Sequence, residues 1–249
     1  MKRSWTTREH PPPMPVRRFA GLGLAGNPFR VMWKDEVLER LMDADLMPAA
    51  EAHLRDGAVV IEVVGQSGWG KTTCLAALRH VGEERLHEKW VAHYCRPEDT
   101  RIRLPQGPLD CWCIDEAQRV GPAHMRGILK KRVARGDFRL VVATHSSIAQ
   151  VCRSLGVDCA TIHLSPPTGA TIVRFVGTRI RAALRSGLDS PRLAPAAADL
   201  LDRQTAGNLH LVEEILYEVF QGFVEGGELP ATIGEDDVAG AIQRRASAY

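Results

Sequence analysis

The sequence predicts an α/β fold, in which a mostly parallel sheet of five strands is followed by a small helical domain. Between residues 58 and 164, short apolar runs alternate with segments of helical periodicity, as in a parallel sheet with crossover helices. A glycine-rich turn joins the first of these strands to a helix. After Pro166 and Pro167, apolar residues recur only at helical spacing, so we expect no second sheet there.

The composition is typical of a soluble globular protein. Of the 249 residues, 45% are hydrophobic and 25% are charged. The formal net charge of +2 does not indicate a polyanionic partner, so any nucleic-acid surface would have to be local. No apolar run approaches the roughly 20 residues that span a bilayer, and no secretory signal is recognised. We therefore expect a cytoplasmic protein without a membrane span.

The six cysteines are scattered and lack paired Cys-x-x-Cys spacing. Cys111 and Cys113 alternate along an apolar run, so both would point to one face of a strand. We expect reduced, buried thiols, with a metal knuckle as the alternative.

The N-terminal segment, residues 1–18, is polar, basic and rich in proline, and three consecutive prolines exclude a helix there. We expect a disordered tail; the alternative is a basic arm that contacts a partner or nucleic acid. An irregular segment with an apolar anchor follows over residues 19–34. Helical periodicity then predicts helices over residues 35–42 and 48–55.

The strongest signal lies where the apolar run of residues 58–64 ends. The next eight residues read G-Q-S-G-W-G-K-T, which is the spacing G-x-x-x-x-G-K-[ST] between a strand and a helix. Its glycines let backbone N–H groups turn inward around an anion, and the helix directs its positive end at the same phosphates. The predicted nucleotide contacts are Gly65, Gln66, Ser67, Gly68, Trp69, Gly70, Lys71, Thr72 and Thr73.

Two side chains of this loop have separate chemical roles. Lys71 supplies a charge for the β- and γ-phosphates, and the Thr72 hydroxyl can bind Mg²⁺. The alternative is a glycine-rich turn with a chance lysine. The loop therefore predicts the core of a P-loop nucleotide-binding fold with ATP and Mg²⁺ as ligands.

An acidic pair follows the third predicted strand. Residues 90–95 form the second strand, residues 96–108 read as a loop, and the apolar run from Leu109 ends in Asp115 and Glu116. Because parallel strands end at the ligand crevice, both carboxylates should lie beside the phosphate loop. Asp115 would hold the water shell of Mg²⁺, and Glu116 would orient and deprotonate the attacking water. The alternative is a chance acidic pair.

The helix predicted over residues 123–136 carries many cations and no acidic residue. Its apolar positions, from Met125 to Val133, recur at helical spacing. The cations on its other positions are Arg126, Lys130, Lys131, Arg132 and Arg135. They indicate a solvated basic face, a subunit contact or a contact with nucleic-acid phosphates.

The fourth strand, residues 138–144, ends in the hydroxyl of Thr144. A polar group there could lie between the γ-phosphate and the attacking water, and the alternative is a turn or cap residue. The two interpretations are compatible, because Ser146 or Ser147 could cap the next helix. That helix carries Arg153 near its end, and the fifth strand follows over residues 160–164.

The remaining chain predicts four helices, over residues 171–185, 195–202, 209–221 and 235–246. The predicted organisation is thus a disordered basic tail over 1–18, an α/β nucleotide-binding domain over 19–167 and a helical lid domain over 168–249.

In this order of motifs, residues 19–245 resemble the AAA+ ATPases. Within that group the chain is similar to the bacterial ExeA, TniB and TnsC type, which are compact ATPases of secretion and DNA transposition. Three stretches carry the narrower resemblance: G-L-A-G-N-P-F at 23–29, C-I-D-E-A-Q at 113–118 and A-G-N-L-H-L-V-E-E at 206–214.

The resemblance implies further roles. Asn27 and Phe29 would lie near the adenine, and Thr144 would be the polar sensor of the γ-phosphate. Arg153 stands where the family often places an arginine finger that reaches into the neighbouring subunit, which implies a homo-oligomeric ring or filament. His210 stands where many members have a lid arginine. Hydrolysis would then depend more on a partner, or another lid arginine would substitute.

The function expected is that of an ATP-binding and ATP-hydrolysing protein that assembles and acts on DNA or a protein partner. A nucleotide-gated scaffold with little hydrolysis is the alternative. A helicase would need a second RecA-like sheet domain, which the helical pattern after residue 168 does not predict. A nucleotide or small-molecule kinase is also disfavoured, because such kinases seldom place Asp-Glu at the end of the third strand.

Overall fold

The computed structural model describes residues 16–30, 46–135 and 138–247. They belong to two compact units, one formed by Met42–Ser165 and the other by Met1–Leu41 with Pro166–Tyr249. Most of the predicted basic tail and the helix predicted over residues 35–42 lie outside the described residues. The end of the tail is described and begins a short helix, Val16–Ala20, where none was expected, because Val16 lies beyond the prolines.

The first unit is built on a fully parallel sheet of five strands in the order β2-β3-β4-β1-β5, which confirms the predicted sheet. The register pairs Val64 with Thr144 on one side and with His163 on the other, so these three strands end at the same level. The strands are β1 (Val60–Val64), β2 (Trp90–Tyr94), β3 (Cys111–Asp115), β4 (Arg139–Thr144) and β5 (Cys159–His163).

Helices cover both faces of this sheet. The first helix that the structure describes, α1 (Val16–Ala20), belongs to the other unit. The helices of this unit are α2 (Leu46–Arg55), α3 (Lys71–Arg85), α4 (Pro122–Arg135) and α5 (Ala149–Ser154). Helix α3 runs five residues past its predicted end near His80. The glycine near its end, Gly82, leaves room for Trp90, because a Cβ there would lie 2.2 Å from the indole Nε1.

Alternation along the strands divides the core of this unit into two layers. Cys111 and Cys113 pack with α3 on one face, and Trp112 and Ile114 pack with α4 on the other, as the alternation of the two cysteines predicted. The six cysteines are free thiols. Burial raises the pKa of the Cys74 thiol to about 12, so that thiol stays protonated.

In the part of the second unit that the structure describes, the elements are helices and one two-residue strand pair, β6 (Arg192–Leu193) and β7 (Thr232–Ile233). Two helices of this unit begin at a side-chain N-cap. The hydroxyl of Thr168 accepts from the N–H of Thr171, and the side chain of Asn208 accepts from the N–H groups of His210 and Leu211. Besides α1, the helices of this unit are α6 (Gly169–Ala183), α7 (Pro195–Thr205), α8 (Leu209–Gly226) and α9 (Glu235–Ser247). Among the described helices, none combines the length and the apolar character needed to cross a membrane.

Residues 19–30 pack in the helical unit, although the sequence analysis assigned them to the α/β domain. Their apolar side chains, including those of Phe19 and Phe29, are buried among the apolar faces of α6 to α9. Their backbone also pairs with this unit, since Leu24 forms an antiparallel bridge with Leu184. The buried apolar surface of this segment therefore decides where it packs.

Candidate nucleotide-binding site

The loop between β1 and α3 has the backbone of an anion site. Its first amide, on Gly65, donates to the carbonyl of Thr144 at 3.2 Å, which fixes the loop to the end of β4. Gly70 precedes α3 with a φ of +88°, a conformation that side chains rarely tolerate. No described side chain caps α3, so its first N–H groups are available to an anion.

Lys71, at the first position of α3, is only 5% exposed. Its ammonium donates to the carbonyl of Gln66 at 2.9 Å, which holds the cation against the loop. Burial lowers the pKa of Lys71, and the carboxylates of Glu116 and Asp115 oppose that shift. The structure thus brings the predicted phosphate-binding cation and the predicted acidic pair into one electrostatic environment.

Asp115 and Thr72, the two predicted metal ligands, are in direct contact. The Thr72 hydroxyl donates to Oδ2 of Asp115 at 2.8 Å, and the N–H of Glu116 donates to Oδ1 at 2.9 Å. Burial raises the pKa of Asp115, and these two hydrogen bonds oppose that shift. A hydroxyl oxygen beside a carboxylate oxygen is a ligand set that fits Mg²⁺.

Glu116 follows in a left-handed conformation, with φ +57°, and opens a short 3₁₀ turn over residues 117–119. Its carboxylate accepts from Gln118 Nε2 at 2.9 Å and forms an ion pair with Arg119 at 3.1 Å. Arg119 also donates to the carbonyl of Cys95 at 2.6 Å and lies 5.8 Å from the ring centre of Tyr94. The candidate base is therefore tied to the end of β2. The sequence analysis missed this network, although a glutamate three residues before an arginine is a readable signal.

Thr144 ends β4 with a buried side chain. Its hydroxyl donates to the carbonyl of Ser146 at 2.8 Å and accepts from the Ser146 N–H at 3.2 Å, so it forms a turn. His145 follows, and its N–H donates to Gln118 Oε1 at 3.3 Å. Burial and then the charge of Lys71 lower the pKa of His145, which favours a neutral imidazole beside the site.

A buried glutamate that the sequence analysis did not single out lies in the middle of β1. Glu62 is fully buried and accepts three hydrogen bonds of 2.6 Å, from the Ser147 hydroxyl, the Ile148 N–H and the Thr161 hydroxyl. It thereby fixes the segment that follows Thr144. The signal was a carboxylate inside an apolar run, with hydroxyl groups on the segments beside it. Ser147 also accepts from the Ala149 N–H at 3.1 Å, but the N-cap of α5 is Ile148 and has no side-chain cap bond, so the prediction that Ser146 or Ser147 is the cap was wrong.

Arg153 lies near the end of α5 with an exposed side chain, and no described residue pairs with it. Its role as an arginine finger stays a prediction, because that role needs a second subunit.

The other predicted nucleotide contacts belong to the helical unit. Asn27 donates to the carbonyl of Tyr217 at 3.0 Å and accepts from the Phe29 N–H at 2.9 Å. The Phe29 ring is buried against Phe220, with ring centres 5.5 Å apart. His210 has a 64% exposed side chain, with Nδ1 3.5 Å from Glu213. Their contacts with a nucleotide stay predictions.

A buried arginine in the same unit was not predicted. Arg179 is 2% exposed, pairs with Glu213 at 2.8 Å and donates to the carbonyl of Arg30 at 2.9 Å. Its guanidinium also lies 5.9 Å from the ring centre of Phe29. These contacts fix the segment around Asn27 to the helices.

No family model matches this chain, and no curated protein matches it in sequence. Solved structures do match it in fold. The RuvB Holliday junction branch migration motor of Thermotoga maritima aligns with a TM-score of 0.52 and 17% identity, over 84% of this chain and 68% of that one. The ORC2 protein of Aeropyrum pernix aligns with a TM-score of 0.57 and 14% identity, over 82% of this chain and 68% of that one. Cdc6p of Pyrobaculum aerophilum aligns with a TM-score of 0.54 and 18% identity, over 91% of this chain and 70% of that one.

At these identities the similarity shows the fold alone. The chain has a P-loop NTPase fold of the AAA+ type, as the sequence predicted.

Proposed function

We propose that this protein binds ATP with Mg²⁺ and hydrolyses it to ADP and phosphate. The observation that carries the proposal is the 2.8 Å hydrogen bond between Thr72 and Asp115, because it joins the end of the phosphate loop to the end of β3. A glycine-rich turn with a chance lysine would not need a buried carboxylate beside its threonine. The arrangement is the one that a phosphate-bound Mg²⁺ requires.

Each group of the site has a role in this reaction. The loop N–H groups and Lys71 bind the phosphates and stabilise the charge of the transition state. Thr72 and Asp115 would hold Mg²⁺, which neutralises phosphate charge when bound. Water attacks the γ-phosphorus and the bond to the β,γ-bridging oxygen breaks, so ADP leaves. Glu116 accepts the proton of that water.

The ion pair between Glu116 and Arg119 bears on the rate of this step. Oε2 of Glu116 lies 3.1 Å from the Arg119 guanidinium and also accepts from Gln118, so it cannot orient water at the same time. Catalysis therefore requires Glu116 to leave Arg119 or to use its other oxygen. Thr144 would orient the water or sense the γ-phosphate from the end of β4.

The proposal extends to assembly. By its resemblance to the ExeA, TniB and TnsC type, the chain would form a homo-oligomeric ring or filament in the cytoplasm and act on DNA or a protein partner. Arg153 would then complete the site of a neighbouring subunit. The helical unit would serve as the lid.

A second candidate is a nucleotide-gated scaffold that binds ATP and hydrolyses little of it. The pairing of Glu116 with Arg119 favours it, and so does His210 in place of a lid arginine. A helicase is disfavoured, since the described part of the helical unit contains only a two-residue strand pair in place of a second sheet.

The deciding experiment measures ATP binding and steady-state ATP hydrolysis by the full chain with Mg²⁺ at increasing protein concentration. Hydrolysis that rises with concentration and is lost in Arg153→Ala, with ATP binding retained, supports a site completed between subunits. Binding without hydrolysis at every concentration supports the scaffold. Failure to bind ATP would overturn both candidates.

A further inference from the structure

Five exposed cations gather on one side of the sheet unit, in two neighbouring elements. We call this group the basic surface. It consists of Arg101, Arg103, Arg126, Lys130 and Lys131.

The helical part of the basic surface follows from the orientation of α4. Met125, Ile128 and Leu129 are buried in the sheet core, which fixes the rotation of the helix. At 3.6 residues per turn, Arg126, Lys130 and Lys131 then lie within an arc of roughly 140° on the opposite side. Over its full length, Pro122–Arg135, the helix contains no acidic residue. The exposed charged side chains described on this helix are therefore all cationic.

The loop after β2 contributes the other two cations. Ile102 is buried against the start of α4, where His124 Nε2 lies 2.7 Å from its carbonyl oxygen and 3.2 Å from its nitrogen. The N–H of Gly121 also donates to the carbonyl of Thr100 at 3.1 Å. These contacts hold the two exposed neighbours of Ile102, Arg101 and Arg103, beside the first turn of α4.

The five cations of the basic surface have no acidic partners, whereas eight arginines elsewhere in the described part of the chain do. No carboxylate in the described part of the chain pairs with any of its five cations. The exposed carboxylate nearest in sequence is Glu98, and Asp99 accepts from the backbone N–H of Arg96 at 2.9 Å. The arginines that do pair with glutamates are Arg55, Arg79, Arg85, Arg119, Arg139, Arg179, Arg203 and Arg245.

The chemistry of the basic surface favours a continuous polyanion. A membrane-binding helix would expose apolar side chains for insertion, whereas those of α4 are buried in the core. Arg126 and Lys130 are about 6 Å apart along the helix axis, and duplex DNA presents a phosphate charge about every 1.7 Å. A row of unpaired cations matches such an array, whatever the base sequence.

We propose that the basic surface binds the phosphate backbone of duplex DNA, without reading its sequence. This inference rests on the proposed function, since it names duplex DNA as the partner on which the ATPase acts. Its physical basis is separate, because none of the five cations belongs to the phosphate loop or to the acidic pair.

The test is fluorescence anisotropy of the full chain with a labelled duplex of about 30 base pairs, over a series of salt concentrations. The main variant replaces Arg126, Lys130 and Lys131 by Gln, and a second variant replaces Arg101 and Arg103. The matched control removes three exposed arginines of the helical unit, Arg181, Arg185 and Arg192. ATP binding and hydrolysis without DNA are measured for every variant.

We expect the three-residue surface variant to bind DNA about 10- to 100-fold more weakly, with a salt slope shallower by about 2 to 3. The control should keep the slope of the wild type. ATP hydrolysis without DNA should be the same in the two surface variants and the wild type, so loss of the ATPase itself would be recognised separately.

Three results would overturn the proposal. The first is a wild-type protein that binds no duplex at low salt, and the second is a loss of binding in the control variant instead. The third is preference for another anion, shown when single-stranded RNA, an acidic peptide or phosphatidylserine vesicles displace the duplex at equal anionic charge.

Discussion

The carboxyl ends of the strands and the segment around Asn27 use polar groups in opposite ways. At the strand ends, Thr72 and Asp115 meet each other, and Lys71 bonds only to its own loop. In the helical unit, both polar ends of the Asn27 side chain bond to backbone, and the Phe29 ring is buried. Both groups were expected to contact one nucleotide; the first is held around the predicted phosphate loop, and the second is held in the core of the helical unit.

The difference shows what a motif residue can contribute beyond binding. A buried aromatic ring in contact with other rings stabilises the fold whether or not a ligand is present. At the strand ends, burial instead lowers the pKa of Lys71 and raises that of Asp115, so both groups are held in a site that disfavours their charges. Substitution at the strand ends should therefore change function, and substitution around Asn27 should change stability.

Glu116→Gln gives the largest expected effect. The amide cannot accept a proton from water, so turnover should fall by about 10² to 10⁴. ATP affinity should stay within about twofold, since the carboxylate contributes to the reaction and not to phosphate binding. Single-turnover hydrolysis and equilibrium binding measure the two quantities. Unchanged turnover would remove Glu116 from the mechanism and leave only its structural pairing with Arg119.

Phe29→Ala is the matching test in the helical unit. Loss of a buried ring should lower the free energy of unfolding by about 3 to 5 kcal/mol, as followed by denaturant titration. ATP affinity of the folded protein should be unchanged. If affinity falls while stability does not, Phe29 faces the nucleotide as the family resemblance implied, and the contrast between the two regions disappears.

Lys71→Ala should weaken ATP binding by about 10- to 100-fold, which corresponds to the loss of a charged hydrogen-bond partner of about 1.5 to 3 kcal/mol. Stability without ATP should not fall, because burial lowers the pKa of Lys71 and a neutral residue avoids that desolvation cost. Calorimetric titration with ATP checks the first statement. Lys89→Ala, an exposed lysine of the same unit, is the control.

The parallel sheet and the strand-end site were predictable because each depends on neighbouring residues in sequence. The phosphate loop spans eight positions between a strand and a helix, and the ends of parallel strands must meet at one edge. The pairing of Thr72 with Asp115 follows from those two facts. Sequence spacing was therefore sufficient for the part of the site that lies on the sheet.

The missed features depend on contacts between distant residues. The placement of residues 19–30 follows from burial among helices more than 140 positions away, as in the bridge between Leu24 and Leu184. Glu62 likewise accepts from Ser147, which is 85 positions away, and from Thr161, which is 99 positions away. Local patterns carry no information about such pairs until the strand order is known.

Glu62→Gln gives the smallest effect and tests whether the sheet interior positions the candidate sensor. The amide keeps one acceptor oxygen, so its NH₂ group replaces either the oxygen that accepts from the Ile148 N–H or the oxygen that accepts from the two hydroxyls, and it cannot accept there. Leaving a buried donor without an acceptor should lower the free energy of unfolding by about 1 to 3 kcal/mol. The segment after Thr144 should shift, so kcat should fall with KM unchanged.

Thr161→Val separates positioning from stability in that experiment. It removes one donor to Glu62 on β5 and leaves both contacts to the segment after Thr144 in place. Because the bonds to Ser147 and Ile148 remain, this variant should lose stability and keep the kcat of the wild type. If both variants lose kcat equally, the decrease reflects general loosening of the sheet. If neither does, Glu62 serves the fold alone.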